Sequence, residues 1–267
     1  MLTIEHLQKT YGQSTVPALA DLSLEVRPGE LISLLGPSGC GKTTVLRIVG
    51  GLLEPSGGRV LIDGRPSFGP SREKAMVFQL FNLFPWRTAE ANVAFGLEAQ
   101  GMNKSDRLQI ARQYLQLVGL AEKAASYPSQ LSGGQNQRLG LARALAIEPK
   151  ILLMDEPFGS LDALTREHLQ AMLQDICADR NLTILFVTHS IDEAILLSDR
   201  IVLMTTPGRV IADHEVRLPR PRTVYDWRAT PVYSELRSQI WDQLQAEQAE
   251  QAEQAEQAGQ AEPAESR

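Results

Sequence analysis

Eight consecutive residues, Gly36-Pro37-Ser38-Gly39-Cys40-Gly41-Lys42-Thr43, carry the densest chemistry in the chain. Their spacing is G-x-x-x-x-G-K-[ST], and each residue type has a use at that spacing. Glycines let the backbone pass close to phosphate oxygens and turn its N–H groups inward. The N-terminus of a following helix adds partial positive charge. Lys42 offers a point charge to β- and γ-phosphates, and the Thr43 hydroxyl offers an oxygen to Mg²⁺. The motif needs a strand before it and a helix behind it. Leu31 to Leu35 is an apolar run of strand type, and Thr44 to Val49 reads as the start of a helix. The loop is therefore a site for a nucleoside triphosphate.

Two further stretches hold chemistry that suits the same ligand. Met154-Asp155-Glu156 closes the apolar run that starts at Ile151. Acids at the C-terminal end of a parallel strand face the ligand crevice of such a sheet. Asp155 is placed to hold Mg²⁺, directly or through water, and Glu156 to act as general base on an attacking water. In Leu131-Ser132-Gly133-Gly134-Gln135 the Ser132/Gln135 spacing is that of a capping box, so a helix starts here. Gly133 and Gly134 leave the first N–H groups uncovered, which makes a second anion site. Read alone, the segment is equally a plain helix cap.

The elements that must position these residues follow from periodicity. Residues 2–8 and 22–26 alternate like an antiparallel pair, with Tyr11 and Gly12 in the loop between them. The first helix is expected to run until Pro55-Ser56-Gly57-Gly58, and Arg59 to Ile62 is a strand before an Asp63-Gly64 turn. Residues 75–78 form another apolar run, with Gln79 directly after it. Apolar residues at 108, 111, 115 and 118 mark one helix over 106–120, and 132–147 is a second. Runs at 151–154, 183–187 and 201–204 are apolar without alternation. Short apolar strands interleaved with helices imply an α/β fold with a mostly parallel sheet covered on both faces, and the block at about 86–148 reads as an inserted helical subdomain.

The chain has 267 residues, 43% of them hydrophobic, which is enough for a large α/β domain with a true core. Its formal net charge is −6. Residues 246–267 hold six Glu and one Arg, so nearly all of that charge lies in the tail and the rest has no basic bias toward nucleic acid. Two cysteines make no disulfide framework and fit a reducing cytosol. No leader peptide is read at the N-terminus, and no run approaches about 18 apolar residues, so any membrane role comes through a partner. Residues 232–244 are expected to form an amphipathic helix, giving a C-terminal extension over 226–245. The Gln-Ala-Glu repeat over 246–267 is expected to be disordered or a solvated, fraying helix, because alanine alone buries little.

Taken together, these motifs resemble the ATP-binding subunits of ABC transporters over about residues 1–225. The likeness rests on the phosphate loop at 36–43, the Walker B segment at 151–156 and the intact signature LSGGQ at 131–135. Gln79 matches the Q-loop glutamine, Gly159-Ser160-Leu161-Asp162 the D-loop, His189 the switch histidine and Tyr11 the aromatic that stacks on adenine. The resemblance implies a P-loop core with an antiparallel β subdomain, and hydrolysis of ATP with Mg²⁺. It assigns ATP contacts to Tyr11, the loop from Gly36 through Thr43 with Thr44, Ser132 to Gln135, and Asp162. Mg²⁺ contacts fall to Thr43, Gln79 and Asp155, and catalytic roles to Glu156, His189, Gln79 and Lys42. Two copies, or this chain and a paralogous ATPase, would pair head to tail, each ATP lying between one phosphate loop and the other signature. Permease subunits in the membrane and, through them, a solute-binding protein are the further implied partners. The location implied is peripheral, on the cytoplasmic face of the cell membrane.

Within that family, Phe84-Pro85-Trp86-Arg87-Thr88, Glu90, Asn92 and Val93 resemble importers of nitrate, sulfonates, taurine and related solutes, as do Pro207-Gly208-Arg209 and the Leu-Pro-Arg-Pro-Arg at 218–222. A soluble ABC-type ATPase outside transport is the alternative. A kinase or GTPase built on the phosphate loop leaves the signature unexplained. Ser190 stands where the family commonly has Asp, and with Glu193 it is expected to form a capping box. Cys40, beside Lys42 and a helix N-terminus, is expected to be a reachable, activated thiol, and Cys177 a buried, inert one.

Overall fold

Each of the parallel strands sends alternate residues to opposite faces, and both sets are apolar. Leu31, Leu35, Leu152, Met154, Ile184, Phe186, Ile201 and Leu203 enter one core cluster. Ile32, Leu34, Ile151, Leu153, Leu185, Val187, Val202 and Met204 enter the other. That division explains the unalternating runs: the strands have no wet face. The structure, a computed structural model, describes residues 1–180, 182–220, 222 and 227–260, with the side chains of Asp179 and of 252–260 left out.

In chain order the first half comprises β1 (Leu2–Lys9), β2 (Leu19–Val26), β3 (Leu31–Leu35), α1 (Lys42–Val49), β4 (Gly57–Ile62), β5 (Arg65–Pro66) and β6 (Lys74–Val77). Three helices follow: α2 (Ala89–Ala99), α3 (Lys104–Leu117) and α4 (Gly133–Leu145). The second half comprises β7 (Ile151–Asp155), α5 (Ala163–Arg180), β8 (Thr183–Val187), α6 (Ile191–Leu197), β9 (Arg200–Thr205), β10 (Arg209–Glu215) and α7 (Pro231–Gln260). One sheet has the order β10-β9-β3-β8-β7-β6, parallel except for β10, and an antiparallel sheet has the order β2-β1-β4-β5. Helix α1 and the inner face of the antiparallel sheet close one side of the parallel sheet, and α2 to α6 share the core on the other.

Several local expectations change. Helix α1 begins at Lys42 and stops at Gly50 and Gly51, before Pro55, because Gly51 turns left-handed at φ +75°. Helix α3 stops at Leu117, and Val118 and Leu120 are core residues of the turn after it. Helix α2 was not foreseen. Its buried set Ala89, Asn92, Val93, Ala94 and Leu97 mixes an amide and small residues into the stripe, which blurs the helical period. Asn92, fully buried, receives the Phe84 N–H at 2.9 Å and donates to the carbonyls of Phe84, Arg87 and Thr88. It thereby ties the Phe84–Thr88 turn to the helix. Strand β10 was also missed: it is an edge strand paired only with β9, and no residue on it is fully buried.

The C-terminal helix is longer than expected. It crosses residues 245 and 246 without a break, and Glu247 and Gln251 both meet the Thr205 hydroxyl at the end of β9. The start of the repeat is thus helical and bonded to the body, and residues 261–267 lie outside the described residues. No described helix is long and apolar enough to cross a membrane.

Candidate nucleotide site

Strands β3, β6, β7 and β8 run parallel, so their C-terminal ends open into one crevice. The phosphate loop follows β3. Gln79 lies two residues beyond Val77 of β6, Asp155 ends β7 with Glu156 directly after it, and His189 lies two residues beyond Val187 of β8. Residues far apart in sequence are therefore gathered by strand register alone.

Gly41 is the N-cap of α1 with φ +95°, and a Cβ there would stand 2.6 Å from the Ala18 carbonyl, so no other residue fits. The Lys42 ammonium is buried and donates to the carbonyls of Gly36 and Pro37, each at 2.8 Å. Its charge is thus held by neutral oxygens rather than by a carboxylate. Ser38 and Gly39 at the loop tip are exposed. The Thr43 hydroxyl donates to Asp155 Oδ1 at 3.0 Å, joining the two oxygens expected to hold a cation. Burial pushes the Asp155 carboxyl up from its ordinary pKa and the negative charge of Glu156 adds to this, while the Thr43 bond opposes it.

Glu156 has φ +45°, a left-handed conformation that is strained for a side-chain-bearing residue and is found at functional sites. Its N–H donates to the Val187 carbonyl at 3.0 Å, so the strand pairing continues while the carboxylate turns off the sheet. There Glu156 Oε2 meets His189 Nδ1 at 3.4 Å. The loop behind His189 is pinned by residues that were not foreseen. The Thr188 hydroxyl donates to Glu193 Oε2 at 2.6 Å and accepts the Ser190 N–H at 3.0 Å. Gln170 donates to Glu193 Oε1 at 3.3 Å, and Arg166 stands 3.8 Å from it. The expected capping box is thus half formed: Ser190 accepts the Glu193 N–H at 3.3 Å, but Glu193 turns to Thr188 instead of back to Ser190. The Ser190/Glu193 spacing was the sequence signal, and it could not reveal that α5 would compete for the same carboxylate.

Tyr11 has a half-exposed ring, and its hydroxyl meets Thr44 Oγ1 at 3.2 Å, which seats it against α1. Asp162 accepts the Thr165 N–H at 3.0 Å, and this cap on α5 holds its carboxyl below the usual range. Gln79 is exposed just beyond β6 and has no described hydrogen bond to Thr43 or Asp155. Ser132 and Gln135 do form the full capping box, with Ser132 Oγ accepting at 3.3 Å and Gln135 Oε1 accepting at 2.9 Å. Gly134 is needed for packing: a Cβ there would lie 2.2 Å from Thr165 Cγ2 on α5. No described hydrogen bond or ion pair joins the signature to the phosphate loop of the same chain.

Cys40 departs from expectation. It is wholly buried among the apolar residues under the loop, and burial pushes its thiol pKa up, outweighing the nearby Lys42. The reachable, activated thiol is therefore overturned, because the loop turns that side chain inward toward α1. Cys177 is half-buried where full burial was expected, and burial pushes its thiol up to about 12.

Among the described residues no cluster of three or more His, Cys, Asp or Glu gathers as a metal cage. The Thr43–Asp155 pair instead offers two hard oxygens on an open crevice. That is the donor set Mg²⁺ uses when phosphates and water complete its shell.

Comparison with known proteins agrees with this geometry. Residues 19–159 match the protein family described as ABC transporter. The chain is 44% identical, over 92% of its length, to the nitrate import ATP-binding protein NrtC of Synechococcus elongatus, and spans 38% of that protein. It is 48% identical, over 84% of its length, to the taurine import ATP-binding protein TauB of Pseudomonas aeruginosa, and spans 88% of it. A solved dimeric post-hydrolysis state of the ATP-binding cassette MJ0796 bound to ADP and Pi superposes with a TM-score of 0.74 at 34% identity, covering 82% of this chain and 100% of that one.

Proposed function

This chain belongs to the ABC transporter family and is an ATPase of the ATP-binding cassette type, and from that premise we propose that it energises a membrane importer for a small solute. Nitrate, a sulfonate, taurine or a related compound is the solute class, supported by the names of NrtC and TauB and by the Phe84–Val93 segment. The chain works at the cytoplasmic face of the membrane, bound to permease subunits that receive solute from a binding protein. It acts as a head-to-tail pair, either with a second copy or with a paralogous ATPase.

Each residue has a task in this reading. The loop N–H groups and the N-terminus of α1 receive the phosphates. Lys42 exchanges its bonds to the Gly36 and Pro37 carbonyls for charge-assisted bonds to phosphate oxygens. Thr43 and Asp155 would hold Mg²⁺, which when bound neutralises charge on the β- and γ-phosphates. Tyr11 presents its ring to the base. Glu156 accepts the proton of the attacking water, and His189 orients Glu156 beside the γ-phosphate. Ser132 to Gln135 serve the ATP of the partner copy. Gln79, free at the end of β6, links the site to the permease.

The observation that carries this reading is the pairing at the strand ends: Thr43 on Asp155, and His189 on Glu156. The test is Glu156→Gln. Turnover should fall by about 10² to 10⁴-fold, while ATP binding persists and the protein accumulates as an ATP-bound dimer. Wild-type turnover in this variant would end the assignment.

A further inference from the structure

We infer that Tyr233 and Arg237 of the C-terminal helix are positioning residues for hydrolysis, setting His189 through Asp192. The inference rests on the proposed roles of Glu156 and His189. His189 sits on a short segment. It precedes Ser190, the N-cap of the seven-residue helix α6, and so moves with the first turn of that helix. A helix this short has little rigidity of its own. Its placement comes from its buried side chains, from the Thr188–Glu193–Gln170 contacts to α5, and from what holds its ends.

Both ends are held by the C-terminal part of the chain. At the far end, Arg220 donates to the Leu197 carbonyl at 2.6 Å, and Arg222 to the carbonyls of Ile195 and Ser198 at 2.6 and 2.7 Å. Arg222 is buried there, and desolvation brings its pKa down to about 10. These arginines belong to the Leu-Pro-Arg-Pro-Arg stretch, so they satisfy the last carbonyls of the helix that follows the histidine. At the near end, Asp192 Oδ1 accepts the Tyr233 hydroxyl at 2.7 Å and Arg237 Nε at 3.2 Å. Tyr233 is itself fixed edge-on against Trp227 at 4.7 Å, and both rings are buried.

The near-end contact lies three residues from His189 and on the nucleotide side. Gly36 to Ser38, His189 to Asp192, and Arg237 with Trp241 wall one cleft of about 540 Å³. Helix α7 therefore flanks the phosphate loop and the histidine together. The Arg237–Asp192 pair is half exposed and contributes little stability by itself. Its consequence is geometric, since small misplacement of a catalytic group is costly in rate.

The experiment is steady-state ATP hydrolysis by the full chain carrying Tyr233→Phe, or Tyr233→Phe with Arg237→Gln, in wild-type and His189→Ala backgrounds, with melting temperatures alongside. The double change should lower kcat by about three- to tenfold, leave KM for ATP within about twofold, and cause no further loss in the His189→Ala background. An unchanged kcat, or the same fold loss in both backgrounds, overturns the inference. If the double variant melts early, Tyr233→Phe alone decides, because its ring keeps the packing on Trp227. Glu156→Gln in the same series separates the two layers: if it hydrolyses like wild type, the parent reading fails whatever Tyr233 does.

Discussion

Burial, with the adjacent Glu156, raises the pKa of the Asp155 carboxyl above its ordinary value, against the bond from Thr43. A folded-state pKa above the unfolded value of 3.8 means that the native chain holds this proton more tightly. Native stability from this group is complete below that unfolded value and declines as pH rises through the folded pKa. Asp155→Asn keeps the oxygen that accepts the Thr43 hydroxyl and removes the charge. At pH 7 without nucleotide, this variant should melt higher than wild type, as expected where a functional site is kept at the expense of stability. The gain should vanish in melts run below about pH 3.8, where both states hold the proton. A lower melting temperature for Asp155→Asn at pH 7 would show that the carboxylate is net stabilising. Cys40 marks the opposite error at this scale. Lys42 and a helix N-terminus next to a thiol suggest activation, yet the side chain points into the core and desolvation wins.

At the scale of elements, the start of α4 depends on how closely it lies against α5. Gly134→Ala would gain about 1 kcal/mol of helix propensity. It would also drive a methyl to within 2.2 Å of Thr165 Cγ2. Thr165 is β-branched, so its methyl cannot swing away freely. Overpacking of this kind costs about 1–3 kcal/mol, which outweighs the propensity gain. The variant should lose stability in urea melts, and adding Thr165→Ser should restore most of it by deleting the methyl. Equal loss with and without the serine would mean that the contact is not what requires the glycine. Where an element ends depends on turns and packing that local spacing shows poorly. Gly51 ended α1 ahead of the more obvious Pro55, and the blurred stripe of Ala89–Ala99 hid a helix.

At the scale of the whole molecule, the parallel sheet is closed on one side by helices and on the other by α1 and the antiparallel sheet. Helix α7 packs Tyr233, Leu236 and Ile240, with Leu244 beside them, into the helix-side core, and polar contacts join it to Asp192, His214 and Thr205. Deleting 246–267 removes the two bonds to Thr205. Part-buried bonds of this kind are each worth about 1 kcal/mol or less. For a chain of this size the melting temperature should drop by about 2–4 °C per kcal/mol lost. Hydrolysis should stay within about twofold, since neither Glu247 nor Gln251 bonds the phosphate loop or His189. Unchanged melting would return the start of the repeat to a free solvated helix. A collapse in activity would make it part of the site.

The sequence by itself determined the chemistry and the class of fold. Gly36 to Thr43 is a contiguous motif whose function lies in its own backbone, and two-faced apolar strands can be buried only in a covered parallel sheet. The Ser132/Gln135 cap was equally local, and it formed as read. The tertiary structure alone decided which of several possible partners a side chain takes. Glu193 could have capped α6 but meets Thr188, Gln170 and Arg166 instead, and Asp192 could have stayed in water but is met by Tyr233 and Arg237. These contacts join residues that local spacing cannot relate. They exist because parallel pairing brings the strand ends into one crevice and the C-terminal helix folds back across it.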